Sequence, residues 1–256
     1  MLPLSRMSVE EAQRVTVLLF DLDGTFVTGN ILKAESYQSL ERIRENGIKT
    51  IVVTGRPAGW CDLLARWWPV DSVVGENGAL AYSKKSGKIE RLSFHNLVDQ
   101  SSYRKRLDSL FADLLVKFPD IKLAADQPFR QWDLAVDMAE ESEMSLQTAI
   151  EIADYCEKRG AKASISNIHV NIWFGDYNKQ GMSLRVLESL GQEASTAVYI
   201  GDSPNDSPMF GHFPLSIGVR SVLKYKDMMD NQPIYVTDGD GSQGFVELVD
   251  YIISTR

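Results

Sequence analysis

The stretch LLFDLDGTFVTG, residues 18–29, passes from a solid apolar run into two acids one residue apart, followed at once by Gly and Thr. The apolar part, Val15 to Phe20, is short and rich in branched side chains, which suits a strand buried on both faces of a parallel sheet. A strand that ends at Asp-x-Asp-Gly is either entering a turn or carrying two carboxylates to the lip of a reaction site. The neighbouring segments decide between the two.

Downstream, ESYQSLERIRENG places Tyr37, Leu40 and Ile43 at helical spacing and stops at Gly47, where a left-handed residue ends a helix. TIVVTG then repeats the opening pattern of apolar run and polar end. The helical stretch GWCDLLARWW follows it, with Trp67 and Trp68 expected against the sheet. Alternation of this kind predicts an α/β core, a doubly wound, Rossmann-like parallel sheet.

After SVVGENG, residues 72–78, the rhythm changes, because GKIERLSF and its neighbours alternate like exposed strands. An inserted α+β cap is expected here, over residues 81–175, leaving 1–80 and 176–256 as the core. The insertion carries a helix-strand-strand unit twice. The first is a helix over 103–118 with strands near IKLAAD and WDLAVDM; the second is a helix over 145–159 with strands near KASISN and HVNIWF. Four strands with two helices on one side would make a small second domain. The core pattern resumes at Lys179 and closes with the helix FVELVDYII.

Composition narrows the function. The chain has 256 residues, 44% of them hydrophobic, and a formal net charge of -8, an acidic balance that argues against binding a nucleic-acid backbone. Cys61 and Cys156 lie far apart with no metal-site spacing, so neither a disulfide framework nor a zinc site is expected, and a reducing cytoplasm fits. Cys61 has no nearby His and is read as packing. No run approaches the ~20 apolar residues of a bilayer span, and the N-terminus lacks an export signal, so no membrane partner is expected. Oligomeric state is not set by the sequence. An EF-hand is excluded, since Phe26 and Leu32 stand where that loop needs Gly and Glu. GDGSQG, residues 239–244, reads as a loop and helix start, because too little chain follows for a dinucleotide-binding unit.

Three predicted core strands end in polar residues: Asp21 and Asp23, then Thr54, then Asp202 with Asp206. Ligands of an open parallel sheet bind outside the carboxyl ends of its strands, so these distant positions are able to converge. DLDGT, TGR, a lysine opening a helix and GDSPND, in that order, resemble the four motifs of the haloacid dehalogenase (HAD) superfamily of phosphohydrolases. The insertion between the second and third motifs, with ENGA at 76–79 just before it, resembles the Cof-like branch, which includes sucrose-phosphate phosphatase.

The resemblance implies a Mg²⁺-dependent phosphatase acting on a small phosphorylated metabolite, a sugar phosphate, through an aspartyl-phosphate. Asp21 would be the nucleophile and Asp23 the acid and base, with Gly24 turning the backbone between them. The implied metal group is Asp21, the Asp23 carbonyl and Asp202, with Asp206 orienting water or Lys179. Thr54 and Gly55 would hold the phosphate and Lys179 would neutralise its charge. The third motif reads Lys179-Gln180-Gly181 where the family often has Lys-Gly.

Other positions stay open. Arg56 either touches phosphate or pins its loop to an acid. Glu76 and Asn77 either line the pocket or cap the hinge, and their place favours lining. His169 and Asn171 alternate on the last cap strand and share a face, toward substrate or toward solvent. Arg130 and Trp132 either meet a sugar or belong to the core. Two rival functions share the pattern: a phosphosugar mutase, and a catalytically silent metal-binding module.

Overall fold

The computed structural model describes residues 1–256. Its strands are β1 (Leu2–Pro3), β2 (Val17–Phe20), β3 (Lys49–Val53), β4 (Ser72–Gly75), β5 (Leu80–Lys85), β6 (Lys88–Ser93), β7 (Leu134–Asp137), β8 (Lys162–Ile165), β9 (His169–Trp173), β10 (Ala197–Gly201), β11 (Leu215–Gly218) and β12 (Tyr235–Val236). The helices are α1 (Val9–Arg14), α2 (Ala34–Glu45), α3 (Ala58–Trp67), α4 (Leu97–Lys117), α5 (Leu146–Glu157), α6 (Lys179–Ser189), α7 (Ser207–His212) and α8 (Ser242–Ser254).

Nine strands form the main sheet in the order β1-β12-β11-β10-β2-β3-β4-β5-β6. The neighbours from β1 to β4 run parallel, and β5 and β6 are antiparallel additions. Successive residues of β2 serve opposite layers. Leu18 and Phe20 join Leu40, Ile43, Phe245 and Leu248 of α2 and α8, whereas Val17 and Leu19 join Met182 and Val186 of α6 and Phe210 of α7. Helices therefore cover both faces of the sheet, which is why its central strands lack a polar face.

The hairpin β5–β6 corrects the sequence reading. Its alternation of exposed residues suggested the cap, but Val73 pairs with Tyr82 and Ala81 with Leu92, so the hairpin continues the core sheet and the insertion begins after it. An antiparallel edge with one wet face alternates wherever it sits, so its pattern does not report which sheet it joins. Trp67 also departs from expectation: it is 77% exposed, while Trp68 packs on Phe26 with ring centroids 5.2 Å apart.

The insertion forms a three-stranded antiparallel sheet, β7-β9-β8. The fourth expected strand, near IKLAAD, is reduced to a bridge between Leu123 and Val136 and a few backbone hydrogen bonds to β7. One face of this sheet, Leu134, Val136, Val170 and Ile172, packs under Leu107, Leu110 and Leu114 of α4 and Ile152 of α5. The opposite face carries the intervening residues of β9, His169 and Asn171, which line the pocket facing the core.

The chain crosses between core and cap near Phe94 and again at 174–178. At the second crossing the backbone of Asn178 passes close to Gly78 on the core side. Gly78 has φ +102°, and a Cβ there would stand 2.0 Å from the Asn178 carbonyl oxygen. Gly78→Ala is expected to cost about 2–4 kcal/mol through left-handed strain and backbone overlap. The check is urea denaturation, with the midpoint lowered and the slope unchanged.

Candidate active site

The strand ends converge as the motif order implied. Asp21 follows β2, Thr54 follows β3 and Asp202 follows β10, while Lys179 is the first residue of α6, which Asn178 caps by accepting a hydrogen bond from the Gly181 N–H at 2.7 Å. The extra residue in Lys179-Gln180-Gly181 is thus absorbed within the first helical turn. Gly24, at φ +87°, lets the chain turn beneath Asp202: a Cβ there would lie 2.3 Å from Asp202 Oδ2.

Lys179 Nζ donates to Asp21 Oδ1 and to Asp206 Oδ1, each at 2.7 Å, and all three residues are buried. Asp206 is saturated. Its Oδ1 also accepts from the Tyr199 hydroxyl at 2.5 Å, and its Oδ2 accepts from the N–H groups of Asp202 at 3.0 Å and Ser203 at 3.3 Å. Asp206 therefore ties the Lys179 ammonium to the Asp202 turn. Tyr199 was not singled out from the sequence, although a tyrosine inside the apolar strand AVYIG needs a partner for its hydroxyl.

Asp202 is different, because its Oδ1 is buried and has no hydrogen-bond partner. Oxygens of Asp21, Asp202 and Asp206 lie within 4.8 Å of one another with Lys179 as the one cation bonded among them. Burial, then repulsion by Asp21 and Asp206, holds the Asp202 carboxyl well above its ordinary range. Burial raises Asp21 to about 7; Lys179 opposes that shift, and Asp206 adds to it. Burial alone would depress the Lys179 ammonium, but Asp206 and Asp21 reverse that and raise it. An orphaned buried oxygen in an all-carboxylate group is suited to a hard divalent cation.

Asp23 points elsewhere. Arg56 holds both its oxygens, Nε to Oδ2 and Nη2 to Oδ1, each at 2.9 Å. The same guanidinium reaches into the cap, with Nη1 donating to Glu140 at 2.9 Å and to Asp126 at 3.3 Å. Of its two open roles, Arg56 thus takes the one of pinning acids. The Asp23 carbonyl accepts from the Asn167 side-chain amide at 3.3 Å, which brings the β8–β9 turn down onto the loop after β2.

The pocket between core and cap is lined by Thr54, Gly55, Ser166, Asn167, His169 and Asn171, besides the two acids, Arg56, Ile168 and Asn205. Thr54 Oγ1 accepts from the Arg56 N–H at 3.0 Å, leaving its own proton to donate. Free space is about 10 Å³, so the cap is shut. That is room for a single water. His169 and Asn171 face this pocket rather than solvent, with His169 Nε2 3.0 Å from Glu140 and Asn171 Nδ2 donating to Asp133 at 3.1 Å.

Glu76 does not line it, contrary to the favoured reading. Its buried carboxylate accepts from the N–H groups of Ala58 at 2.9 Å, Gln131 at 2.9 Å, Trp132 at 2.6 Å and Asp133 at 3.1 Å, tying the cap to the end of β4. Asn77 lies beneath Gly55, outside the lining. Trp132 is buried core, and Arg130 is spent on Asp126, Asp133 and the Gly55 carbonyl.

Carboxylates gathered to meet phosphorus, with the ammonium between them, are chemistry suited to splitting phosphoric monoesters. The pattern of the haloacid dehalogenase-like hydrolase family matches residues 18–112 and 116–224. A glucosyl-3-phosphoglycerate/mannosyl-3-phosphoglycerate phosphatase of Persephonella marina is 25% identical over 271 residues, covering 91% of this chain and 95% of that one. A HAD/COF-like hydrolase of Plasmodium vivax superimposes with a TM-score of 0.74 at 15% identity, over 97% of this chain and 100% of the other. The sucrose-phosphatase of Synechocystis, solved with sucrose and phosphate, gives 0.66 at 18% identity, over 94% and 98%. The chain belongs to the haloacid dehalogenase-like hydrolases.

The raised Asp21 and Asp202 fix a pH dependence for the metal-free protein. Between the ordinary 3.8 and about 7 the folded chain holds protons at Asp21 that the unfolded chain has released, so stability falls as pH rises through that window. In EDTA the melting temperature should drop across it, and Asp202→Asn, by removing a repelling carboxylate, should flatten the drop. Thermal melts at successive pH values read both.

Proposed function

We propose that this enzyme hydrolyses a small sugar phosphate with the help of Mg²⁺, through a phosphoryl group carried on Asp21. The observation that carries the reading is the buried cluster itself: Asp21 beside Lys179, Asp202 with its orphaned oxygen, and Thr54 across the pocket.

Asp21 attacks phosphorus, forming an Oδ–P bond as the bond to the leaving oxygen breaks, and Asp23 gives that oxygen its proton. Water then attacks the phosphorus, the Oδ–P bond breaks, and Asp23 takes the water's proton. Arg56 must release at least one Asp23 oxygen for this, since both are held in the shut state. Lys179 and the Thr54 hydroxyl meet charge on the phosphoryl oxygens, and the closed cap excludes bulk water. Asp21, Asp202 and the Asp23 carbonyl would hold the metal ion, whose chemistry is to offset the charge of phosphate and carboxylates in one place. Asn167 donates to the Asp23 carbonyl in the shut state, so a metal ion held there would share that oxygen with it.

The sugar-phosphate substrate is supported by relatives named for glycosyl-phosphoglycerate and sucrose-phosphate esters and by the amide, hydroxyl and imidazole groups of the cap turn. A cytoplasmic location accords with the reduced, buried Cys61 and Cys156.

A panel of phosphate esters with Mg²⁺ or EDTA tests the reading. Release of inorganic phosphate only with the metal is expected; isomerised sugar phosphate in its place would favour a mutase, and no turnover of any ester a silent module. Asp21→Asn should lower kcat by at least about 10³-fold while the fold survives, as seen by circular dichroism. Mg²⁺ should raise the melting temperature at neutral pH, and Asp202→Asn should abolish that rise.

A further inference from the structure

The surroundings of Arg56 carry a message about charge. Arg56 is the one lysine or arginine lining the pocket, and four of its N–H groups are already committed, two to Asp23 and one each to Asp126 and Glu140. Behind it, Arg130 is shared between Asp126 and Asp133. Asp133 lies against Asn171, and Glu140 also holds His169. Four carboxylates (Asp23, Asp126, Asp133, Glu140) thus face two guanidiniums and one imidazole. These groups are buried or nearly so, where like charges are poorly screened.

We infer that this acid-rich ring is a charge filter on the leaving group: the enzyme takes phosphate esters of uncharged polyols and turns away those whose leaving group bears a carboxylate. Glu140, which holds both Arg56 and His169, is its central specificity-determining residue. The inference rests on the phosphatase reading above and narrows it.

The physical argument is one of partners. A substrate carboxylate entering the pocket finds a single guanidinium whose charge Asp23, Asp126 and Glu140 already share, so it adds one more acid where the cations are outnumbered. A hydroxyl group adds no charge. It meets Ser166, Asn167, His169 and Asn171, which donate and accept without demanding a counter-charge. The His169 hydrogen bond, then Arg56 against the opposing effect of burial, lowers Glu140 to about 2. The filter therefore operates across the neutral range. It sets this chain apart from the Persephonella relative, whose named substrates are phosphoglycerate conjugates.

The test is a matched pair of esters, glycerol 3-phosphate and 3-phosphoglycerate, which differ by a hydroxymethyl group against a carboxylate on the same skeleton. With Mg²⁺ present, kcat/KM should favour glycerol 3-phosphate by about tenfold or more, the difference lying chiefly in KM. Glu140→Gln should narrow that ratio about threefold or more by lowering KM for 3-phosphoglycerate, a change that mere loosening of the cap would not direct at one ester. The wild-type ratio decides even where that variant does not fold. Equal use of the two esters, a preference for 3-phosphoglycerate, or a ratio unmoved in folded Glu140→Gln overturns the filter. Hydrolysis of p-nitrophenyl phosphate in the same assays separates the outcomes. If that ester is cleaved while the pair shows no discrimination, the filter alone falls; if no ester is cleaved, the phosphatase reading falls and the filter with it.

Discussion

Too many carboxylates meet at the carboxyl end of this sheet for the ammonium of Lys179 to balance. Asp21, Asp202 and Asp206 reach one another because β2 and β10 are paired neighbours in parallel register, so their ends emerge side by side. The arrangement is held together by saturating one acid, Asp206, with four donors, and leaving another, Asp202, with an orphaned oxygen. Stability and reactivity are thereby divided between two residues four positions apart. The saturated acid fixes the geometry, and the unsatisfied one makes a cation welcome.

A second acid-rich assembly occupies the cap side, and Arg56 joins the two. Its guanidinium binds Asp23 in the core and Asp126 and Glu140 in the cap, so the residue proposed to handle the proton is held by the same group that meets the cap. Core and cap are thus linked through one side chain, while the apolar faces under α4 and α5 hold the cap strands together.

Much of this was legible in the sequence, because strand-terminal motifs combine a local pattern with a fixed place in the fold. Asp21, Thr54 and Asp202 needed only the alternation of strand and helix to be brought together, Lys179 joined them through the resemblance, and the period-two spacing of His169 and Asn171 was enough to put them on one face. What stayed hidden depends on partners remote in the chain. Arg56 meets Asp126 and Glu140 at separations of 70 and 84 residues, and nothing local distinguishes those acids from the solvated ones around them. Glu76 misled for the same reason: its partners are backbone amides of residues 131–133, which no side-chain pattern announces. The β5–β6 hairpin was misplaced because exposure alternates at any wet sheet edge.

The Glu76 tie has a mechanical consequence. Two bodies connected only by a pair of peptide crossings are free to twist as well as to swing. A carboxylate gripping three successive amides of the other body adds a further anchor near the first two, and with Gly78 wedged beside Asn178 it suppresses torsion. An anchor so placed opposes twisting of one body on the other more than swinging about the line of the crossings.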